Sequence, residues 1–224
     1  MFRLKNGGLI NRGKILNFSF NGKKLYGYEG DTLASALLAN GKHLVGRSFK
    51  YHRPRGIFSA GSEEPSALIQ LGSGAHTEPN IRATTVPLFN NLGVTSHNHS
   101  GQLEWDVMRI NDFLSPFLGA GFYYKTFMWP KSFWEKVYEP IIRQAAGLGK
   151  LSRKEDPSCY DKGFLHCDLL IIGSGPSGLQ SALCAARSGA KVILADEDFL
   201  LGGSLNGEKL QINDVSATDW GAQI

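Results

Sequence analysis

The chain has 224 residues, of which 42% are hydrophobic and 20% are charged, and its formal net charge is +4. This is ordinary globular composition, and it excludes a largely disordered or collagen-like chain. The sequence contains no run of about 18 apolar residues, the length needed to cross a bilayer. The N-terminal residues lack the apolar core of a secretory signal. We therefore expect one large domain or two modest ones, no membrane partner and a cytoplasmic location.

The first forty residues predict a β-hairpin and a helix. Apolar residues alternate up to Phe20, Asn21-Gly22 is the pair favoured by a type I′ turn, and residues 23–28 form the returning strand. A helix is predicted over residues 32–40, between a cap at Asp31 and a stop at Gly41. Hairpin followed by helix is a β-grasp-like opening. Further strands are predicted over residues 67–71 and 81–88.

A basic loop, residues 42–55, follows the predicted helix. Its cations are Lys42, Arg47, Lys50, Arg53 and Arg55, and no acidic residue stands between positions 31 and 63. Five cations are too few to bind a polyanion when the rest of the chain is nearly balanced in charge, so we expect no nucleic-acid partner. Contact with the rest of a complex, or with a flavin phosphate, is the interpretation that we favour.

An aromatic segment, residues 113–138, contains ten of the chain's 24 aromatic residues. Prolines at 116, 130 and 140 interrupt helices there, so short helical pieces are predicted, one of them over residues 133–138. The aromatic side chains need cover, and the sequence leaves open whether this chain or a neighbouring subunit supplies it. The polar residues 149–162 predict a domain boundary.

The strongest motif is Gly173-Ser174-Gly175-Pro176-Ser177-Gly178, the fingerprint loop. It follows an apolar run, residues 167–172, that is predicted as a parallel strand covered on both faces. It opens a predicted helix over residues 177–188, and residues 191–195 form a second strand that ends at Asp196. Strand, glycine loop, helix and strand together are the context of a dinucleotide-binding Rossmann unit.

Each position of this loop has a physical role. Gly173 allows a tight turn, Gly175 lets the pyrophosphate approach the backbone, and Gly178 lets the helix pack on the strand. The free N–H groups of the helix N-terminus bind phosphate. Asp196 is expected to accept from the adenosine ribose hydroxyls and to repel a 2′-phosphate, which favours NAD or FAD over NADP. The predicted cofactor-binding residues are Gly173, Ser174, Gly175, Pro176, Ser177, Gly178, Asp196, Glu197 and Gly203, and no catalytic or metal-binding residue is assigned.

Other residues that suggest metal or redox chemistry are weaker. His97-Asn98-His99 has no further ligands at suitable spacing, and we interpret it as a polar surface turn. Cys159, Cys167 and Cys184 include no C-x-x-C pair, and their odd number does not suggest a disulfide framework.

Several long strings carry a family resemblance. KYHRPRG, YYKTFMWPKSFWEKVYEP and CDLLIIGSGPSGLQSALCAARSGAKVILADE resemble the N-terminal part of the alpha subunit of heterotetrameric sarcosine oxidase. The resemblance implies a bacterial flavoenzyme that oxidatively demethylates sarcosine to glycine, with beta, gamma and delta subunits as partners. It further implies an NAD-binding unit fused to a ferredoxin-like module, and an FMN between the alpha and beta subunits.

The resemblance also bears on an iron-sulfur cluster. In related opine and amine dehydrogenase subunits and in hydrogen cyanide synthase, cysteines after the RPRG string bind a two-iron two-sulfur cluster. Here residues 58–65 read FSAGSEEP, with serines and acids where thiolates are needed. The cluster is predicted to be absent.

The predicted architecture has three parts. An α+β ferredoxin-like β-grasp module without a cluster covers residues 1–100, an aromatic-rich helical linker covers 101–162, and an α/β Rossmann-type FAD/NAD(P)-binding domain begins at 163. Only 28 residues follow Asp196, too few for the remaining strands of a doubly wound sheet, so this last unit is expected to be truncated.

Three functions follow from this architecture. The first is the dinucleotide-binding portion of a sarcosine oxidase alpha-like subunit, with NAD favoured over FAD and no catalysis by this stretch alone. The second is the FAD-binding subunit of an opine or amine dehydrogenase. The third is a non-catalytic remnant or assembly module.

Overall fold

The computed structural model describes residues 2–122, 127 and 129–224. The chain forms two compact units. Unit 1 comprises Met1–Phe58 and Glu64–Asp156, and unit 2 comprises Ser59–Glu63 and Pro157–Ile224. No helix among the described residues is long and apolar enough to cross a membrane.

Unit 1 is built on a five-stranded sheet in the order β2-β1-β7-β5-β6. The strands are β1 (Asn11–Phe20), β2 (Lys23–Glu29), β5 (Leu68–Leu71), β6 (Glu78–Arg82) and β7 (Leu92–Ser96), and the short pair β3 (Gly46–Arg47) and β4 (Pro54–Arg55) lies outside this sheet. β1 pairs antiparallel with β2 and parallel with β7. A hairpin, a helix and a parallel pairing of the first and last strands give the predicted β-grasp arrangement.

The predicted hairpin and helix are confirmed, with one correction. Asn21 and Gly22 have φ values of 49° and 76°, as the type I′ turn requires. Helix α1 runs over Leu33–Ala39, and its N-cap is Thr32, whose hydroxyl accepts from the Ser35 amide. Asp31 is therefore not the cap. Its buried carboxylate instead accepts from Arg3, from the Tyr28 amide and from the Ser35 hydroxyl.

The core of unit 1 forms where α1 packs on the sheet. Leu33, Ala36 and Leu37 are completely buried there, together with Ile69 and Val45. Helical spacing places the first three side chains on one face of α1, so the face that the sequence pattern marks as apolar is the face that the sheet covers.

The strand predicted over residues 81–88 is wrong beyond Arg82. Residues 83–85 form a turn, and the carbonyls of Ala83 and Val86 accept from the first amides of α1, those of Ala34 and Leu33. Because a helix N-terminus has free N–H groups, these carbonyls are used there rather than in a sheet. The sequence also missed β7, a short strand that contains a glycine.

The linker segment contains short helical pieces, as predicted. Among the described residues these are a 3₁₀ turn at Val107–Arg109, α2 (Ile110–Phe113), a 3₁₀ turn at Lys131–Phe133, a π turn at Trp134–Tyr138 and α3 (Glu139–Ala146). Several aromatic side chains are left open to solvent: Phe113, Phe117 and Trp129 are 85%, 83% and 84% exposed. Within the described part of the chain, these three side chains are therefore left uncovered. Tyr123 and Tyr124, which belong to the same aromatic segment, lie outside the described residues.

Unit 2 contains the predicted strand-loop-helix-strand. β8 (Leu169–Ile172) and β9 (Val192–Ala195) pair in parallel, and α4 (Pro176–Arg187) connects them. A small hairpin, β10 (Gln211–Ile212) and β11 (Val215–Ser216), and helix α5 (Ala217–Gln223) follow. Leu179, Leu205 and Ala217 form the buried core. The expectation that β8 is covered on both faces is wrong for this chain, because Leu170 and Ile172 are 55% and 76% exposed.

Candidate functional site

The fingerprint loop lies at the carboxyl end of β8, where parallel strands of this kind present their ligand sites. The Gly173 amide donates to the Ala195 carbonyl (2.7 Å), which holds the start of the loop against the end of β9. The Leu179 amide donates to the Gly175 carbonyl (2.9 Å), which is the first helical hydrogen bond of α4. The loop is thus fixed at both ends by backbone hydrogen bonds.

Two glycines of the loop are required by the geometry of the protein itself. Gly173 has a φ of +100°, a conformation that other residues rarely adopt. A Cβ on Gly178 would lie 2.0 Å from the Gly173 carbonyl oxygen, so only glycine allows α4 to pack this closely on the loop. Both roles agree with those predicted from the sequence.

Gly175 differs from its two neighbours. Its φ lies outside the left-handed range, and a Cβ there would meet nothing within 4 Å among the described residues. The protein fold therefore does not require glycine at this position. The open space beside its backbone has the form of a cradle that a side chain would fill, which suits the close approach of a pyrophosphate.

The N-terminus of α4 offers hydrogen-bond donors. Gly175 is the N-cap residue, no side-chain hydrogen bond caps the helix, and Pro176 occupies its first position. The amides of Ser177 and Gly178 belong to the first turn, whose N–H groups have no partner within the helix. Positive dipole and free N–H groups together favour an anion at this end of α4.

A second glycine pair packs against the loop. The Gly202 amide donates to the Ser174 carbonyl (3.0 Å), and a Cβ on Gly203 would lie 3.2 Å from the Gly175 Cα. Ser174 is completely buried by this arrangement. Gly203, which was predicted as a cofactor-binding residue from its type alone, therefore lies beside the loop. Gly202 was not among the predicted site residues, although its φ of +114° requires glycine.

Asp196 ends β9 and turns back toward the loop. One carboxylate oxygen accepts from the Ser174 amide and the other from the Asp198 amide (2.8 Å). Burial raises the pKa of Asp196, but hydrogen bonds from Ser174, Asp198 and Glu197 outweigh it and bring the pKa below its ordinary value. Asp196 and Glu197 are both exposed, so the Asp196 carboxylate keeps lone pairs that face solvent.

The basic loop has a different role from the one predicted, because three of its cations bind the linker of the same unit. The Arg47 guanidinium donates to the carbonyls of Leu103 (2.7 Å), His52 (2.9 Å) and Glu104 (3.1 Å). Lys50 donates to the Gly119 carbonyl (2.8 Å). A third pair joins Arg53 and Asp112 (2.6 Å). These contacts are internal, and Arg47 is buried, so the interpretation as a surface for a flavin phosphate is wrong for Arg47. For Lys50 and Arg53, which are partly exposed, it stays a prediction.

His52, in the same loop, is completely buried and lies between two acceptors. Its Nδ1 is 2.5 Å from the Asp106 carboxylate and its Nε2 is 2.9 Å from the Ala145 carbonyl. Asp106 also accepts from the amides of Ser100 and Met108. His52 thus connects the basic loop to the linker and to the last turn of α3.

The segment His97-Asn98-His99 is structural, although it is not the surface turn that was predicted. His97 is buried, and burial together with the nearby His99 lowers its pKa. The neutral ring accepts from the Asn80 amide (3.2 Å). The Asn98 side chain donates to the Arg47 carbonyl (2.9 Å), and His99 Nε2 contacts the Ser96 hydroxyl (2.9 Å).

Two family models match the chain, one in each unit. The model described as a 2Fe-2S iron-sulfur cluster binding domain matches residues 13–99. The model described as an FAD dependent oxidoreductase matches residues 168–218, which include the whole fingerprint loop. The second match supports FAD as the dinucleotide, and it gives no support to the expectation that NAD is favoured.

A solved structure shows a similar fold. The crystal structure of L-proline dehydrogenase from P. horikoshii matches with a TM-score of 0.52 at 20% identity, over 95% of this chain and 31% of that one. At this identity the likeness concerns the fold alone.

Two curated relatives match nearly the whole chain. The sarcosine oxidase alpha subunit of Rhizobium meliloti (strain 1021) is 57% identical over 98% of this chain, and that of Corynebacterium sp. (strain P-1) is 36% identical over 93%. The chain spans 22% and 17% of the lengths of these relatives. The resemblance read from the sequence is confirmed: over almost all of its length, this chain is similar to the N-terminal part of these sarcosine oxidase alpha subunits, and it spans about a fifth of their length.

Proposed function

We propose that this chain is the dinucleotide-binding portion of a sarcosine oxidase alpha-like subunit, which contributes to the oxidative demethylation of sarcosine to glycine by a multi-subunit flavoenzyme. The single observation that carries the proposal is the fingerprint loop in its full structural context. It has a glycine at each required position, an open space beside Gly175 and an uncapped helix behind it. The 57% identity to a sarcosine oxidase alpha subunit supports the choice of enzyme.

In this proposal the residues of unit 2 hold and orient the cofactor. The amides of Ser177 and Gly178 donate to the pyrophosphate, and the Gly175 backbone leaves room for it to approach. Asp196 uses its solvent-facing lone pairs for the ribose hydroxyls while its other lone pairs hold the Ser174 and Asp198 amides. A bound FAD would supply the redox-active flavin, and an NAD the nicotinamide.

FAD is the first candidate, because the FAD dependent oxidoreductase model matches this unit. NAD stays an alternative, since Asp196 disfavours a 2′-phosphate without distinguishing the two. In both cases the residues described here bind the cofactor, and none of them is assigned to oxidation of the amine.

We further propose that beta-, gamma- and delta-type subunits assemble with the alpha-like subunit. The exposed aromatic side chains of Phe113, Phe117 and Trp129 support this part, because large apolar groups of this kind are typical of surfaces that partners cover. A cytoplasmic location belongs to the same proposal. It is supported by the three cysteines, which form no disulfide.

The proposal is tested by calorimetric titration of the full chain with FAD and with NAD, using Gly175→Val. A side chain at Gly175 fills the space that the pyrophosphate needs, so we expect the affinity for the bound dinucleotide to fall by at least about 100-fold. Because a Cβ there meets no protein atom, we expect the thermal unfolding midpoint of the variant to stay close to that of the parent.

Gly163→Val is the matched control. Gly163 lies in the same unit, its φ is outside the left-handed range, and a Cβ there also meets nothing within 4 Å. The control variant should bind as the parent chain does. Unchanged affinity in Gly175→Val, or a parent chain that binds neither FAD nor NAD, would contradict the proposal.

A further inference from the structure

The family model that matches unit 1 is named for an iron-sulfur cluster, yet the residues present do not fit one. All three cysteines, Cys159, Cys167 and Cys184, lie outside the matched residues 13–99. Iron-sulfur clusters are held by soft thiolate ligands, with histidine replacing some of them in one class. Among the described residues, no group of three or more His, Cys, Asp or Glu side chains is arranged to hold a metal ion.

The loop that corresponds to the cluster-binding stretch is closed by a buried carboxylate instead. We call residues 58–67 the Glu64 loop. The Glu64 residue is 1% exposed. Its Oε2 accepts from the Phe58 amide (2.7 Å), and its Oε1 accepts from the amides of Ser66 (2.7 Å) and Ala67 (3.0 Å). One side chain therefore binds both ends of the loop.

The chemistry of these contacts matches what a cluster requires of its loop. The sulfurs of an iron-sulfur cluster accept hydrogen bonds from protein groups, and those bonds help to set its properties. A carboxylate is also an anion, and charge-assisted hydrogen bonds from backbone N–H groups are among the strong ones. Three such bonds compensate for burying the charge of Glu64.

The same three bonds make the loop unsuitable for a second anion. The amides of Phe58, Ser66 and Ala67 already donate to Glu64. A cluster bound by this loop would need new donors and would lie close to a buried negative charge, which is unfavourable at low dielectric. The missing thiolates and the carboxylate inside the loop are two independent obstacles.

We propose that the Glu64 carboxylate is the internal anion that organises this loop, in the structural role that a cluster has in iron-sulfur members of the fold. Unit 1 then needs no metal cluster to fold and has no redox centre of its own. The role of unit 1 is structural, and electrons do not pass through it. This proposal does not depend on which dinucleotide unit 2 binds.

Amide hydrogen exchange of the full chain tests the role of Glu64. The Phe58, Ser66 and Ala67 amides should be protected in the parent chain. In Glu64→Gln, an NH₂ group replaces one accepting oxygen, so their exchange should become at least about tenfold faster. Glu63→Gln is the matched control, because it removes the same charge at the preceding residue, which is exposed. It should leave the exchange rates of the Phe58, Ser66 and Ala67 amides unchanged.

Two results would overturn this role. The first is exchange of the three amides in the parent chain at the rate of exposed loop residues, a measurement that does not require the variant to fold. The second is equal acceleration by Glu63→Gln and Glu64→Gln, which would assign the effect to net charge rather than to the buried contacts.

Anaerobic incubation of the full chain with ferrous iron and sulfide tests the absence of a cluster. After desalting, we expect iron and acid-labile sulfide well below one atom per chain and no visible circular dichroism of a cluster. A stoichiometric two-iron two-sulfur centre in the parent chain would overturn the proposal directly.

Discussion

The Glu64 loop and the fingerprint loop both direct backbone N–H groups inward, and they differ in where the anion comes from. Glu64 supplies its own carboxylate to three amides and is buried by doing so. The first turn of α4 has no side-chain cap, and the space beside Gly175 is open. A loop closed on its own carboxylate is part of the fold, whereas a loop that keeps its donors free is suited to bind a ligand.

The two units also differ in how their carboxylates are paired. Unit 1 satisfies its buried charges internally: Asp31 binds Arg3, and Asp106 binds His52 with Arg47 nearby at 3.7 Å. In unit 2 the carboxylate of Asp196 accepts from the Ser174 amide of the fingerprint loop and from the Asp198 amide, and it still faces solvent. Buried pairs of the first kind are expensive to break, and exposed groups of the second kind are not.

The largest effect is expected from Asp106→Ala in unit 1. The change leaves His52 and Arg47 without their buried carboxylate and frees the amides of Ser100 and Met108. Removing one partner of a buried ion pair costs about 3–5 kcal/mol, and we expect the free energy of unfolding of unit 1 to fall by that amount. Denaturant unfolding followed by hydrogen exchange of core amides in the sheet measures it.

Asp112→Ala is the control for this prediction. Asp112 pairs with Arg53, and both side chains are partly exposed, at 37% and 52%. Exposed pairs contribute about 0–1 kcal/mol, so this variant should be close to the parent chain. If the two substitutions had equal effects, the idea that unit 1 depends on its buried carboxylates would be wrong.

The sequence predicted the parts of the fold that depend on local rules. The hairpin at Asn21-Gly22 follows from turn geometry, and the strand-loop-helix of unit 2 follows from the glycine spacing. The strand expected over residues 81–88 is wrong beyond Arg82, because the carbonyls of Ala83 and Val86 accept from the first amides of α1. Such a contact joins residues about fifty positions apart, and local sequence patterns do not predict it.

The candidate site was predicted in outline and missed in detail. Glycine types and spacing identified Gly173, Gly175 and Gly178, whose roles are local to one turn. The partners of Asp196 and the packing of Gly202 on Ser174 depend on how distant segments meet. The basic loop shows the same limit: its charges were predicted to contact the rest of a complex or a flavin phosphate, but Arg47 and Lys50 bind linker carbonyls more than fifty residues away.

An intermediate effect on stability is expected from Gly178→Ala in unit 2. The added Cβ would lie 2.0 Å from the Gly173 carbonyl oxygen, so α4 or the loop must move. Overpacking of this kind costs about 1–3 kcal/mol, and the thermal midpoint of unit 2 should fall accordingly. Scanning calorimetry of the full chain measures it.

Gly175→Ala is the matched control, since its Cβ meets no protein atom within 4 Å. It should change the stability of unit 2 by less than about 0.5 kcal/mol while weakening dinucleotide binding. Gly178→Ala and Gly175→Ala therefore separate the glycine that the fold needs from the glycine that the ligand needs. Equal loss of stability in both variants would remove that distinction.

The smallest effect concerns the titration of Asp196, the acid that faces solvent in unit 2. Hydrogen bonds from Ser174 and Asp198 outweigh burial and hold its pKa below the ordinary value. A carboxylate whose pKa is lowered by folding stabilises the folded state fully above its unfolded pKa of about 3.9. That contribution is lost as the pH falls through the lower, folded pKa, so we expect no change near neutral pH and a looser fingerprint loop only in acid, below the folded pKa of Asp196.

NMR titration of the Asp196 carboxyl in the parent chain and in Ser174→Ala tests this last prediction. The Ser174 side chain is one of the groups that lower the pKa of Asp196, so its removal should shift the titration midpoint upward. The Ser174 amide remains in the variant, and the shift should therefore be partial. A parent midpoint at or above the ordinary value for aspartate would mean that the Asp196 carboxylate does not hold the loop, and its lone pairs would then all be available to a ligand.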